Sequence, residues 1–172
     1  MRLHVVMHKE GVKPDHATII AVLTACSALA LLRQGKSAHA IAIKTLLESS
    51  TSFSNALMTM YSRCGSVGES ELVFVNLKSQ DIVSWNTIIA GYLRGGMPNK
   101  ALQAFGEMAK EHVRLDDVTL LNALVASART GTVKVGRLCH ALVVVNGIGI
   151  NCHMGSSLIS MYAKCGLVET VR

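Results

Sequence analysis

The sequence has 172 residues, 17 Lys+Arg against 11 Asp+Glu, and a net charge of +6 with the histidines neutral; half of its residues are hydrophobic and 4% are aromatic. That apolar share excludes a disordered tail, which needs low hydrophobicity and dense charge, and so few aromatics argue against a carbohydrate-stacking surface or an aromatic-paired β-sandwich. The cysteines Cys26, Cys64, Cys139, Cys152 and Cys165 form no C-x-x-C, so neither a zinc knuckle nor a disulfide scaffold is expected and free thiols in a reducing compartment are.

Along the chain, MRLHVVMHKEGVKPD at residues 1–15 has neither the apolar stretch of a signal peptide nor the Arg/Ser richness of a transit peptide. His4 and His8 stand at metal-capable i, i+4 spacing with no third ligand nearby. The uncharged apolar run from Ala17 to Leu32 is sixteen residues long, short of the roughly 20 a membrane span needs, and it reads as one buried core helix. Between Ile82 and Asp116, Val83, Ile88, Ile89 and Tyr92 make a helical stripe. Gly95-Gly96 break it, Pro98 opens a second helix, and Ala101, Leu102, Phe105 and Met108 continue with helical spacing. Asn146-Gly147 with Gly149 is a turn signal.

Sliding the sequence on itself by 101 positions aligns residues 16–71 with 117–172, without a gap. The pairs Thr18/Thr119, Leu23/Leu124, Ala25/Ala126, Gly35/Gly136, His39/His140, Ala40/Ala141, Leu57/Leu158, Met60/Met161, Tyr61/Tyr162, Cys64/Cys165, Gly65/Gly166 and Val67/Val168 are identical. A helix–turn–helix of about 35 residues, repeated, cannot bury its apolar face alone and stacks on its neighbours. The expected fold is all-α, a right-handed α-solenoid of stacked helix–turn–helix repeats.

NALMTMYSRCGSV (Asn55 to Val67), IVSWNTIIAGYLRGG (Ile82 to Gly96) and SLISMYAKCGLVE (Ser157 to Glu169) resemble pentatricopeptide repeats, in the plant arrangement that alternates P, L and S types. The resemblance divides the chain into the end of a P-type repeat (1–15), an L-type (16–50), an S-type (51–81), a P-type (82–116), an L-type (117–151) and a truncated S-type (152–172). Lengths of 35, 31 and 35 make up the period of 101. A chain that starts and stops inside repeats reads as a fragment of a longer protein.

Members of this family bind single-stranded RNA, about one base per repeat. The resemblance implies that the fifth and last residues of a repeat face the base edge, while second residues of successive repeats pack on its faces. That assigns Asn86 with Asp116 and Asn55 with Asp81 to uracil-favouring positions, Val83 and Val118 to the faces of one base, and Ser156 to the truncated repeat. The L-type repeats offer Ile20 with Ser50 and Leu121 with Asn151, where Ile and Leu have no hydrogen bond to give. Read without the resemblance, Asn and Asp ahead of an apolar run are helix caps. Trp85 and Tyr92 read as packing residues, and Cys64 and Cys165 as structural turn residues. The implied role is a non-enzymatic guide for organellar RNA processing, foremost C-to-U editing in a mitochondrion or chloroplast, with catalysis supplied by an editing enzyme in trans. His8-Lys9-Glu10 matches half of the zinc deaminase signature, but P-C-x-x-C is absent; no catalytic residue, metal or cofactor is expected. The alternative is a tetratricopeptide-like solenoid that binds protein, although its W-x-x-L-G-x-x-Y pattern is absent.

Overall fold

The computed structural model describes residues 14–45, 50–111 and 113–166. Residues 1–13, with His4, His8 and the end of the first P-type repeat, lie outside that range, as do residues 167–172 of the last repeat. The described residues are helical, with no strand among them. None of their helices is long and apolar enough to cross a membrane.

The helices fall into two compact units, residues 1–80 and 81–172. The first holds α1 (His16–Ala28), α2 (Leu32–Lys44), α3 (Thr51–Arg63) and α4 (Val67–Val75). Here α1 pairs with α2 and α3 with α4, and α1 lies against α3. The second holds α5 (Ile82–Arg94), α6 (Pro98–Lys110), α7 (Asp117–Thr130), α8 (Val133–Val145) and α9 (Cys152–Lys164). Its first helices α5, α7 and α9 lie side by side in chain order, with α6 and α8 as the second layer. Pro98 stands at the first helical position of α6, where its missing N–H costs no hydrogen bond.

Each first helix starts on a side-chain cap. Asp15 accepts from the Thr18 amide, Ser50 from Phe53, Asp81 from Ser84, Asp116 from Thr119 and Asn151 from Met154. The second helices α2, α4, α6 and α8 have no such bond at their starts. The turn inside each pair is held by the backbone instead. An amide two or three residues past the helix end reaches back five residues: Leu31 to Cys26 at 2.9 Å, Ser66 to Tyr61 at 2.9 Å, Met97 to Tyr92 at 2.8 Å and Thr132 to Ser127 at 3.1 Å. This turn requires a left-handed residue in the middle, usually glycine. Gly131 fills it with φ 69°, and its equivalent in the first unit is Ala30 with φ 52°. The run Ala17 to Leu32 is therefore helical only as far as Ala28, with a turn before α2 opens at Leu32, and not the single helix expected. Alanine carries no turn signal, which is why the break is invisible in the sequence.

The core of the first unit gathers Ile19, Leu23, Cys26, Ala38, Ala42, Phe53, Leu57, Met60 and Tyr61. Several of the identities spaced by 101 now have partners. His39 Nδ1 meets the Tyr61 hydroxyl at 2.9 Å, and His140 meets Tyr162 at 2.9 Å. Gly35 and Gly136 lie where a Cβ would fall 2.3 Å from the sulfur of Met60 and of Met161. Trp85 and Tyr92 are buried, as expected of packing residues. Val83 leaves the stripe assigned to it and faces solvent, while Ile88, Ile89 and Tyr92 stay inside. Cys64 and Cys165 cap the ends of α3 and α9. All five thiols are free, and burial pushes that of Cys139 up to about 12.

Two substitutions test these constraints. Ala30→Gly removes the left-handed strain of a Cβ and is expected to raise unfolding stability by about 0.5–1 kcal/mol, seen as a higher denaturant midpoint at unchanged slope. Gly136→Ala drives a methyl into the fully buried Met161. It is expected to cost about 1–3 kcal/mol by the same measurement, despite alanine's better helix propensity.

Candidate functional site

The cap of α7 and the first turn of α5 build one polar cluster inside the second unit. Asp116 precedes α7 in an extended conformation, and its Oδ1 accepts the Thr119 amide at 2.8 Å. The same oxygen lies 2.7 Å from the Thr119 hydroxyl and accepts the Asn86 amide at 3.0 Å. Every side-chain hydrogen bond of Asp116 among the described residues thus ends on Oδ1, and Oδ2 is left over. The Thr119 hydroxyl is also 2.8 Å from Asn86 Oδ1. A carboxylate only accepts, so the Asn86 nitrogen must face Asp116 and its carbonyl must face Thr119. Thr119 is fully buried, while Asn86 and Asp116 are half-buried.

Burial pushes the Asp116 carboxyl upward. The Thr119 amide, the Thr119 hydroxyl and the Asn86 amide outweigh it and hold the group below its ordinary 3.8. Asp116 also borders an open cleft of about 920 Å³ lined by Ile82, Val113, Arg114, Leu142 and Ile148. A second cleft, about 350 Å³, lies among His39, Phe53, Tyr61 and Leu72 in the first unit and contains none of the candidate residues.

The remaining candidates are placed as follows. Val83, one turn before Asn86 on α5, is 52% exposed, and Val118, two residues after Asp116, is 46% exposed. Both are large apolar side chains left on the surface beside the polar pair. Asn55 is half-buried on α3, and its Oδ1 is buried without a hydrogen bond among the described residues. Asn55 belongs to the first unit and Asp81 opens the second; Asp81 Oδ1 accepts the Ser84 amide at 2.8 Å and the Ser84 hydroxyl at 2.9 Å. Asn151 caps α9 through the Met154 amide at 2.9 Å, and Ser156 is exposed on that helix. Ile20 packs against the first core, and Ser50 caps α3 while its hydroxyl also meets His16. Among the described residues no group of three or more metal-ligating side chains converges.

Thr119 belongs to the cluster, and sequence reasoning saw it only as a recurring identity. The available signal was D-x-x-[ST], present at Asp15/Thr18, Asp81/Ser84 and Asp116/Thr119. In all three the hydroxyl joins the amide on the same oxygen.

The pKa direction fixes the pH dependence. Because the folded state holds Asp116 below its ordinary value, its stabilisation is complete above about pH 5 and drains away as pH falls through the ordinary value to the depressed one. Asp116→Asn keeps a capping oxygen and lacks the titrating group. Its stability is expected to fall less between about pH 5 and about pH 2 than that of the parent chain, followed by thermal melts across pH. Asp116→Ala loses the cap and is expected to cost about 1 kcal/mol at neutral pH.

Comparisons with known proteins agree with this architecture. Models of the PPR repeat match residues 53–82, and those of the PPR repeat family match residues 80–124. One Arabidopsis thaliana pentatricopeptide repeat-containing protein is 38% identical over 164 residues, 95% of this chain and 19% of that protein. A second, described as chloroplastic, is 38% identical over 164 residues, 95% of this chain and 20% of its own length. The chain thus spans about a fifth of the length of the curated relatives it matches. Among solved structures, pentatricopeptide repeat protein PPR10 in complex with an 18-nt psaJ RNA element superposes with a TM-score of 0.80 at 20% identity, covering 98% of this chain and 26% of that one. PPR10 from maize gives 0.71 at 19% identity, covering 96% and 24%. That likeness establishes the all-α solenoid fold of stacked helix pairs. With PPR repeat models matched over residues 53–124 and pentatricopeptide repeat-containing relatives aligned across 95% of its length, the chain carries pentatricopeptide repeats.

Proposed function

We propose that this chain is a segment of a sequence-reading RNA-binding solenoid and that Asn86 with Asp116 forms its best-defined base-edge contact. One observation carries the reading: Asn86 Nδ2 and Asp116 Oδ1 stand 3.0 Å apart, half-buried, beside the exposed Val83 and Val118. The amide has a second N–H to donate and Asp116 Oδ2 remains to accept, a combination that suits the mixed donor and acceptor edge of a pyrimidine. Two apolar side chains at the surface suit the faces of a flat base. The PPR10 structure with bound RNA supports a single-stranded RNA as the ligand of this fold, and the net charge of +6 supports attraction to phosphate.

On this reading the chain follows the P, L, S arrangement with boundaries at residues 15, 50, 81, 116 and 151. Asn55 and Asp81 read a second base, favouring uracil as Asn86 and Asp116 do. The L-type positions, Ile20 with Ser50 and Leu121 with Asn151, contribute little, and Ser156 belongs to a further site. The whole protein acts in an organelle, as the chloroplastic relatives suggest, and guides C-to-U editing by an enzyme recruited from outside this chain.

Fluorescence anisotropy tests the reading, with short single-stranded RNAs carrying a central UU or GG at low and moderate salt. The parent chain is expected to bind UU more tightly, and Asn86→Thr to shift preference towards G at one of the two positions. Binding that ignores the bases and collapses with salt leaves only charge attraction. No binding by a folded, helical chain overturns the reading.

A further inference from the structure

We propose that Thr119 is a positioning residue for base discrimination, its buried hydroxyl tying the Asn86 carboxamide to the Asp116 carboxylate. This rests on the reading of Asn86 and Asp116 as a base-edge pair. The hydroxyl lies 2.7 Å from Asp116 Oδ1 and 2.8 Å from Asn86 Oδ1, on a residue with no exposed surface. It therefore cannot touch a ligand and can act only through its two neighbours.

A threonine hydroxyl has one proton and here faces two acceptors. When the proton goes to Asn86, it holds the carbonyl by one lone pair and leaves the second to accept from a base; when it goes to Asp116, it holds the carboxylate oxygen on which the Asn86 nitrogen rests. In either state the carboxamide nitrogen stays on the carboxylate, so the amide cannot turn over and present the opposite pattern. Without the hydroxyl, Asn86 keeps a single tether, the 3.0 Å bond to Asp116, and its carboxamide can swing. The pair then offers a blurred pattern of donors and acceptors.

The company this hydroxyl keeps points the same way. The three carboxylate caps, Asp15, Asp81 and Asp116, each have a hydroxyl three residues on, at Thr18, Ser84 and Thr119. The two uncharged caps, Ser50 and Asn151, have Phe53 and Met154 at that place. The hydroxyl thus accompanies the carboxylate, and only at Thr119 do the described contacts extend it to an asparagine amide.

The test uses the whole 172-residue chain and the ratio of Kd for GG-centred over UU-centred RNA. Thr119→Ser retains the hydroxyl and is expected to keep the parent ratio. Thr119→Val, and Thr119→Ala should the valine variant not fold, are expected to lower the ratio about fivefold, through weaker UU binding with GG binding unchanged. A helical, cooperatively melting Thr119→Val or Thr119→Ala chain that keeps the parent ratio, or weakens on both RNAs alike, overturns the proposal. A parent chain that shows no UU preference overturns the pair reading itself, a result distinct from the first because it needs no variant.

Discussion

The helix cap at the junction between successive pairs is the contact on which the rest of the molecule hangs. A first helix leaves its opening amides without partners, and a buried orphan donor is costly. Asp15, Ser50, Asp81, Asp116 and Asn151 each supply an acceptor at this point, so one polar residue opens each pair. How much of that residue remains for other work depends on its chemistry. A carboxylate has two oxygens and about four lone-pair sites, so Asp116 can satisfy α7 with Oδ1 and keep Oδ2. Serine has one oxygen, and at Ser50 it already serves the Phe53 amide and His16. Cap and ligand contact are competing explanations for Ser50 and compatible ones for Asp116.

The second helices are held differently. Their starts have no side-chain acceptor, and the turn before them closes through backbone bonds around a left-handed residue. An added Cβ at Gly131 meets nothing within 4 Å, so conformation and not crowding selects glycine there. Polar side chains are needed at the junction between pairs and dispensable within a pair. This places the variable polar chemistry of the chain at one recurrent point.

Much of this was legible before any coordinates. The period of 101 and the repeated helix–turn–helix pattern announced an all-α stack of helix pairs, and Pro98 marked the start of α6. What stayed hidden has physical causes. Ala30 adopts a conformation its side chain disfavours because the surrounding backbone bonds impose it, so no local signal announced the break in Ala17 to Leu32. Val83 fits a helical stripe by spacing, yet its face of α5 is left uncovered. The recurrence of Gly35 with Gly136 and of Met60 with Met161 was visible, but that each glycine answers to the methionine is a fact of three dimensions. Thr119 fared likewise: D-x-x-[ST] is written in the sequence, but its reach to Asn86 requires α5 and α7 to be neighbours.

The glycine–methionine contact also bears on how such arrays can be rebuilt. Gly35 sits on α2 and Met60 on α3, and Gly136 and Met161 repeat the match between α8 and α9. At the corresponding places on α6 and α7 the chain has Ala101 and Ala126, both fully buried. At α2–α3 and α8–α9 a void left by one helix pair is filled by a side chain of the next, and at α6–α7 both equivalent positions hold small residues. Helix pairs cut out and shuffled one at a time would set methionine against alanine, or glycine against alanine, producing a clash or a cavity at each seam. The natural cassette for recombination is the seam, from the second helix of one pair through the first helix of its successor.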